Sequence, residues 1–322
     1  MDLLTRPTLS TASSSRERAL THKDAGTIKM RRMAEHAINI DAPNYKGIAK
    51  GFVAVVLFSL TVPMTKIALT GFSPEAIAAV RVLLAGVFSL FLIGKLSSRL
   101  PTLRETGGLL VAGLGICIGF PYGISVALQQ TSAVEMGVAL SALPLLTAIL
   151  AVFVAKERHN VGFWISAFAG FALLSHYFTN GLSVDLPASL LLTLASASFG
   201  YAIGGHVAKT LGGWQTICWM MILYLPVSGL IFGYYAMDGF SWNLEAGLAL
   251  IYLALISQWL GFHFWYDGMA QAGIGRISQL QLLQPFLTLI FAALLLGEAL
   301  ELSQLTYVLL IAAAVFGALK FR

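Results

Sequence analysis

From residue 47 to residue 320 the chain is a succession of apolar segments, each about 17–25 residues long, and this pattern leaves few possible folds. In a bilayer every backbone N–H and C=O must find its partner inside the protein, so such segments cross it as helices. Ten are predicted, at 47–69, 74–96, 106–128, 133–154, 160–178, 187–208, 214–236, 246–268, 274–296 and 302–320. Turn-forming residues separate them at 71–74, 97–105, 156–160, 180–187, 212–213 and 238–243. Charged residues make up only 11% of the chain, and hydrophobic ones 57%. A soluble domain carries about a quarter charged residues, so a soluble reading fails for want of a surface. The expected fold class is an all-α integral membrane protein with ten transmembrane helices.

The net charge of +5 gives no stripe of basic residues with interleaved aromatics, so nucleic-acid binding is not expected; it reads instead as topology. With the N-terminus inside, the inner loops collect Lys95, Arg99, Arg104, Lys156, Arg158, Lys209, Arg276, Lys320 and Arg322. The outer loops hold Glu75, Asp185, Asp238, Glu245, Glu298 and Glu301 and no Lys or Arg. The positive-inside rule therefore predicts both termini in the cytoplasm of a multi-pass protein of the bacterial inner (plasma) membrane. Residues 1–46 are polar, basic and rich in Ser and Thr, without an apolar run to serve as a signal peptide. They are expected to be a disordered cytoplasmic tail; an organellar transit peptide and a start at Met30 or Met33 are the alternatives. Cys117 and Cys218 lie in apolar runs and read as packed thiols.

The two halves of the chain repeat each other. LPLLTAILAVFVAKE at 143–157 aligns with QPFLTLIFAALLLGE at 284–298, a constant offset of 141 that pairs Pro144 with Pro285, Thr147 with Thr288 and Glu157 with Glu298. The same offset pairs Gln130 with Gln271, Gly71 with Gly212 and Phe58 with Phe199. Each half has five predicted helices, an odd number, so the second copy enters the membrane from the opposite side. Inverted repeats of this kind suit a transporter whose halves exchange conformations about a central site. The expected domains are 47–180 (helices 1–5) and 187–322 (helices 6–10).

The stretch 130–157, its echo at 271–298, Arg81 in the second helix and the run WYDGMAQAG at 265–273 resemble the EamA domain of the drug/metabolite transporter superfamily. The resemblance covers about residues 47–320. It implies two five-helix EamA-like halves with a central cavity between them, and leaves the substrate open. The chain departs from an even duplication at Lys66 and Arg81, which face apolar Val207 and Ile222 in the second half.

Ionisable groups inside a bilayer are costly, so each is a candidate for function. Arg81 either bonds backbone carbonyls and a neighbouring helix or offers a cavity charge to an anionic group. Lys66 either snorkels to the outer interface or pairs with Glu135, at similar depth, to gate the outer side. His263 and Asp267 share a helix face four residues apart and can relay protons, or else sit at headgroup level. Gln279, Gln281 and Gln284 surround the ninth helix, so at least one is expected to line the cavity. Tyr122 and Trp265, with Trp259 and Tyr266, either stack on an aromatic substrate or form interfacial belts. Pro63, Pro121, Pro144 and Pro285 break intrahelical hydrogen bonds, and Pro144 and Pro285 are expected to form a symmetric pair of bends. The glycines 113, 115 and 119, and 200, 204 and 205, read as close-packing faces.

No cofactor or metal is expected. The leading function is a secondary transporter, an exporter of a small metabolite (an amino acid or related compound) or an amphiphilic toxin, working by alternating access. An intramembrane enzyme lacks a catalytic constellation here, and a channel lacks rings of charge. The expected partners are a small-molecule substrate and the lipid bilayer. Proton coupling stays open, as does the choice between monomer and homodimer.

Overall fold

The computed structural model describes residues 44–321, apart from 96–97, 131–135, 137–139, 180–187, 237–242, 289–290 and 292–301; the side chains of 178–179, 236, 302–305 and 308 are also outside the description. Residues 1–43 of the tail, Glu135 and Glu298 therefore lie outside the described residues. Everything described is helix or short connection, with no strand among the described residues. Six helical runs are long and apolar enough to cross a membrane: Tyr45–Ala68, Pro74–Lys95, Leu103–Gln130, Ala188–Leu211, Gly213–Tyr235 and Leu244–Ala272. Leu143–Val154, Val161–Tyr177 and Leu309–Lys320 are shorter apolar helices.

The sequence predicts bends at the prolines within the spans, and the structure shows the form these interruptions take. The first span is α1 (Tyr45–Phe58) and α2 (Thr61–Ala68), parted by a turn at 59–60. After α3 (Pro74–Lys95), the third span is α4 (Leu103–Gly113), a π-helical segment Leu114–Gly119 and α5 (Phe120–Gln130). Then come α6 (Leu143–Val154), α7 (Val161–Thr179), α8 (Ala188–Leu211) and α9 (Gly213–Ala236). The next span is α10 (Leu244–Ile251), a second π-helical segment Tyr252–Gly261 and α11 (Phe262–Ala272). It leads into α12 (Ile274–Ser278), a 3-10 segment Gln279–Leu283 and, finally, α13 (Leu302–Lys320).

All of these interruptions but the second π segment, which has Phe262 where the first has Pro121, lie beside a proline. Proline lacks the N–H that an α-helix needs in its interior, but the first turn of a helix tolerates it. Pro63, Pro121 and Pro144 each stand within the first three residues of a helix that restarts, α2, α5 and α6. Pro285 follows the 3-10 segment directly after Gln284. Before Pro121 the backbone widens to the π register, with the Phe120 N–H reaching the Gly115 carbonyl five residues back. The two π segments coincide under the 141-residue offset, so both repeats loosen the same helix at the same place.

Packing repeats the internal symmetry. The pair α3 and α9 are repeat equivalents and lie against each other, as do α7 and α13. Likewise α1 packs on α11, while its equivalent α8 packs on α4 and α5. Close approach there depends on glycine: a Cβ on Gly115 would collide with the Ser196 carbonyl, and one on Gly204 with the Tyr266 ring. Asp267 shows the relative direction of the halves. Its carboxylate accepts from Lys50 Nζ near the start of α1 (2.7 Å) and from the Gly213 N–H directly after the end of α8 (2.7 Å). The end of the bundle where α1 begins is therefore the end where its repeat equivalent finishes.

Candidate functional site

The break in the first span creates a problem that the rest of the molecule solves. Leu57, Phe58 and Ser59 lose their intrahelical partners, and an unpaired carbonyl inside a membrane is costly. Three side chains of the second repeat take them up. Tyr252 Oη donates to Leu57 O (2.8 Å), Gln284 Nε2 to Phe58 O (3.2 Å) and Thr288 Oγ1 to Ser59 O (2.6 Å). Two other glutamines serve similarly: Gln258 Nε2 donates to Ile116 O in the first π segment (2.9 Å), and Gln279 Nε2 to Pro144 O (3.1 Å).

Around this break lies a cavity of about 170 Å³. A single buried water needs only ~10–15 Å³ on a comparable measure, so the space suits a small organic molecule. The first repeat contributes Phe58, Thr61, Val62, Phe120, Ile124, Leu140, Ser141, Leu143 and Leu174 to its wall. The second contributes Tyr201, Ser257, Phe262, Gln281, Gln284, Pro285 and Thr288. Leu140 and Gln281 are equivalent under the offset of 141, as are Leu143 and Gln284, so the cavity straddles the relation between the halves. No charged side chain appears among the described lining residues.

The cavity is placed unevenly along the bundle. In the first repeat Phe58, Thr61, Val62, Phe120, Ile124 and Leu174 lie from the middle of their spans toward the end remote from Lys50, Arg99 and Lys209, whereas Tyr201 and Phe262 of the second repeat stand just on the basic side of the middle of theirs. Below it an aromatic floor closes the way: Phe58 lies 5.1 Å from Phe262 and 5.8 Å from Trp265, and Tyr201 lies 5.5 Å from Trp265, centroid to centroid. Trp265 and Tyr266 are fully buried.

Beyond that floor, the basic end is tied across the two repeats by three carboxylates. Glu105 caps its own helix through Thr102, takes a two-pronged contact from Arg99 (2.8 and 2.6 Å) and accepts from Thr210 Oγ1 on α8 (2.7 Å). Asp267 joins Lys50 as described. Glu157, just past α6, accepts the backbone N–H groups of Ile274 and Gly275 at the start of α12 (2.9 and 3.0 Å) and Lys209 Nζ (3.1 Å). Burial by itself raises the Glu157 pKa, but His159, the two backbone donors and Lys209 together hold it at about 2. The His159 contact, at 3.5 Å, is loose, so the backbone donors and Lys209 are the firm partners.

Gln281 and Gln284 line the cavity, as does Pro285 of the proline pair. Pro144 stands one residue beyond the wall residue Leu143. Gln279 is buried and engaged with the backbone. Trp265 lies behind the wall, and Tyr122 is on an exposed face away from the cavity. Arg81 is fully buried behind the wall: its Nη2 donates to Gln258 Oε1 (2.9 Å), while Nε and Nη1 have no hydrogen-bond partner among the described residues. Through Gln258 it joins α3 to both π segments. Lys66 is exposed on α2. His263 and Asp267 take different partners: Asp267 turns to Lys50 and Gly213, and His263 stacks 6.3 Å from Trp259, its Nδ1 without a partner among the described residues. Sequence reasoning missed Gln258, Tyr201, Phe262 and the Thr61–Ser257 pair (2.9 Å). A usable signal existed in the prolines, which mark where carbonyls need partners. Among the described residues no group of three or more His, Cys, Asp or Glu side chains is arranged to hold a metal.

Similarity to known proteins agrees with this architecture. The EamA-like transporter family model matches residues 45–178 and again 188–320. The chain is 35% identical over 278 residues to a protein named uncharacterized transporter YdeK of Bacillus subtilis (strain 168), covering 83% of this chain and 96% of that one. It is 26% identical over 290 residues to a probable amino-acid metabolite efflux pump of Salmonella typhimurium (strain LT2), covering 83% of this chain and 93% of that one. A solved crystal structure superposes with a TM-score of 0.66 at 17% identity, covering 84% of this chain and 97% of that one, which speaks to the fold alone. With both halves matched and the internal duplication visible in the packing, the chain belongs to the EamA-like transporter family.

Proposed function

We propose that the protein is a secondary transporter, an exporter of a small metabolite or amphiphilic toxin, that works by alternating access through ten helices in two inverted halves. The observation that carries this reading is the cavity built from both repeats near the middle of the bundle, with charged junctions between the repeats tying the basic end beyond it. An inverted pair can exchange these two arrangements and so present one site to each side in turn. In this reading the basic end is cytoplasmic, both termini are inside the plasma membrane, and the structure is the state sealed toward the cytoplasm. The amino-acid metabolite efflux activity in one relative's name supports export of a compound of that size.

Gln281 and Gln284 are proposed as cavity residues, and Pro144 and Pro285 as paired bends. Arg81, with Gln258, is proposed to hold the two π segments in step, since these are the segments with the loosest helical register. Glu135 and Lys66 stand as a proposed outer gate. The test is a pair of strains, one lacking and one overproducing the protein, with untargeted metabolomics of cells and medium. At least one small metabolite is expected to move in opposite directions in the two strains. Unchanged distributions, together with unchanged toxin resistance, overturn the transporter reading.

A further inference from the structure

A ligand held in this cavity meets side chains whose hydrogen-bonding groups are already turned toward the protein. Thr61 and Ser257 bond each other at 2.9 Å. Gln284 and Thr288 hold the carbonyls of the broken first span. Gln281 Nε2 donates to Tyr201 Oη at 3.3 Å, and its Oε1 is shielded from the space, with no hydrogen-bond partner among the described residues. Ser141 lies 3.4 Å from Ser175. The Gln284 and Thr288 contacts exist because the broken first span needs them, and a ligand that took one over would leave a backbone carbonyl bare. Among the described residues what remains facing the space is mostly apolar, with the rings of Phe58, Phe120 and Phe262 and the branched chains of Ile124 and Leu174.

An ionised ligand loses its hydration on entering such a wall and gains little in return. The Arg81 guanidinium does not change this, because it stands behind the wall rather than in it. Aromatic walls instead favour a flat apolar ring, by burial and by offset or edge contacts between rings. We propose that the cavity selects an uncharged, largely apolar aromatic compound over zwitterionic or anionic relatives of the same ring. This rests on the transporter reading and narrows it: the amphiphilic branch of the substrate class is favoured and the free amino acid is disfavoured.

The experiment uses the full-length protein, purified in lipid nanodiscs, and measures binding by calorimetry with three probes sharing one ring system. Indole is uncharged, L-tryptophan is a zwitterion and indole-3-acetate is an anion at pH 7. Indole is expected to bind, and the other two to bind at least about tenfold more weakly, a difference of ~1.4 kcal/mol. Equal or tighter binding of either charged probe overturns the proposal, as does no binding of indole. Ile124→Trp, which fills the space, is expected to abolish indole binding; Leu174→Phe replaces it if Ile124→Trp does not fold. Undiminished indole binding by the folded variant places the site elsewhere and also overturns the proposal. Metabolite redistribution in the strain pair is independent of these probes, so loss of the ligand class and loss of the transporter reading are separate outcomes.

Discussion

The first helix of each repeat occupies an equivalent place in the sequence, yet one is broken and the other is continuous. The α1–α2 span turns at 59–60, whereas α8 runs unbroken from Ala188 to Leu211. At the position of Pro63 the second repeat has Gly204, which keeps its N–H and lets Tyr266 pack closely. One proline thus accounts for a whole set of differences. The broken span exposes three carbonyls, and Tyr252, Gln284 and Thr288 meet them. Their counterparts in the first repeat are Val111, Leu143 and Thr147; the equivalent helix α8 needs no such help, and the buried Thr147 hydroxyl has no partner among the described residues. The polar load of the cavity wall therefore falls on the second repeat because the first repeat's helix is the broken one.

The largest expected effect comes from undoing that repair. Gln284→Leu with Thr288→Val, which leaves two carbonyls unpaired, is expected to lower stability by roughly 2–4 kcal/mol, read by reversible unfolding in mixed micelles. The ends of the bundle supply a second contrast of similar size. Glu157 and Glu298 are repeat equivalents, but Lys209 corresponds to Ala68, so only the basic end combines the glutamate with that lysine. Glu157→Leu is expected to lose on the order of 3 kcal/mol, the equivalent of its lowered pKa.

The pH dependence of that junction has a definite sign. A carboxyl whose pKa falls on folding stabilises fully above its unfolded value, ~4.3, and loses that contribution as pH drops through the folded value of about 2. The difference in stability between wild type and Glu157→Leu should accordingly be flat from pH 8 to 5 and shrink below about pH 4.5. A difference that changes between pH 6 and 8 would show that the junction responds to cytoplasmic pH. It would also show that another group titrates with it.

Smaller effects sharpen the comparison of the two first helices. Pro63→Ala restores an N–H that can reach the Ser59 carbonyl four residues back, and should make Thr288→Val less harmful than in the parent, a coupling of about 1 kcal/mol in a double-mutant cycle. Additive effects would detach the threonine from the proline. Asp267→Asn weakens the Lys50 pair, whose lysine is 33% exposed, but an amide oxygen can still accept from Gly213. A loss below about 1 kcal/mol is expected by the same unfolding assay.

Much of the architecture was legible in the chain because membranes constrain sequence so strongly. Apolar length located the spans, Gly and Pro located the interruptions between them, and the constant offset exposed the duplication. The candidate site was legible only in part. Gln281 and Gln284 stood out because amides in an apolar helix must face something polar, and both line the cavity. Tyr122 and Trp265 are not among its lining residues, because aromatic residues suit a cavity, an interface and a packed floor equally well. His263 and Asp267 share a helix face, but helical spacing cannot show that Lys50, more than 200 residues away, offers Asp267 a better partner.

The sequence by itself determined that this is a helical membrane protein with two related halves, since hydropathy and the repeat register are local properties of the chain. Only the tertiary structure decided which polar side chains are engaged and which space stays empty. Partners such as Gln284 and Phe58, or Glu157 and Gly275, come from different repeats and meet only when the halves interlock. The physical reason is that a carbonyl freed by proline must be satisfied, but nothing in the chain near it says by whom.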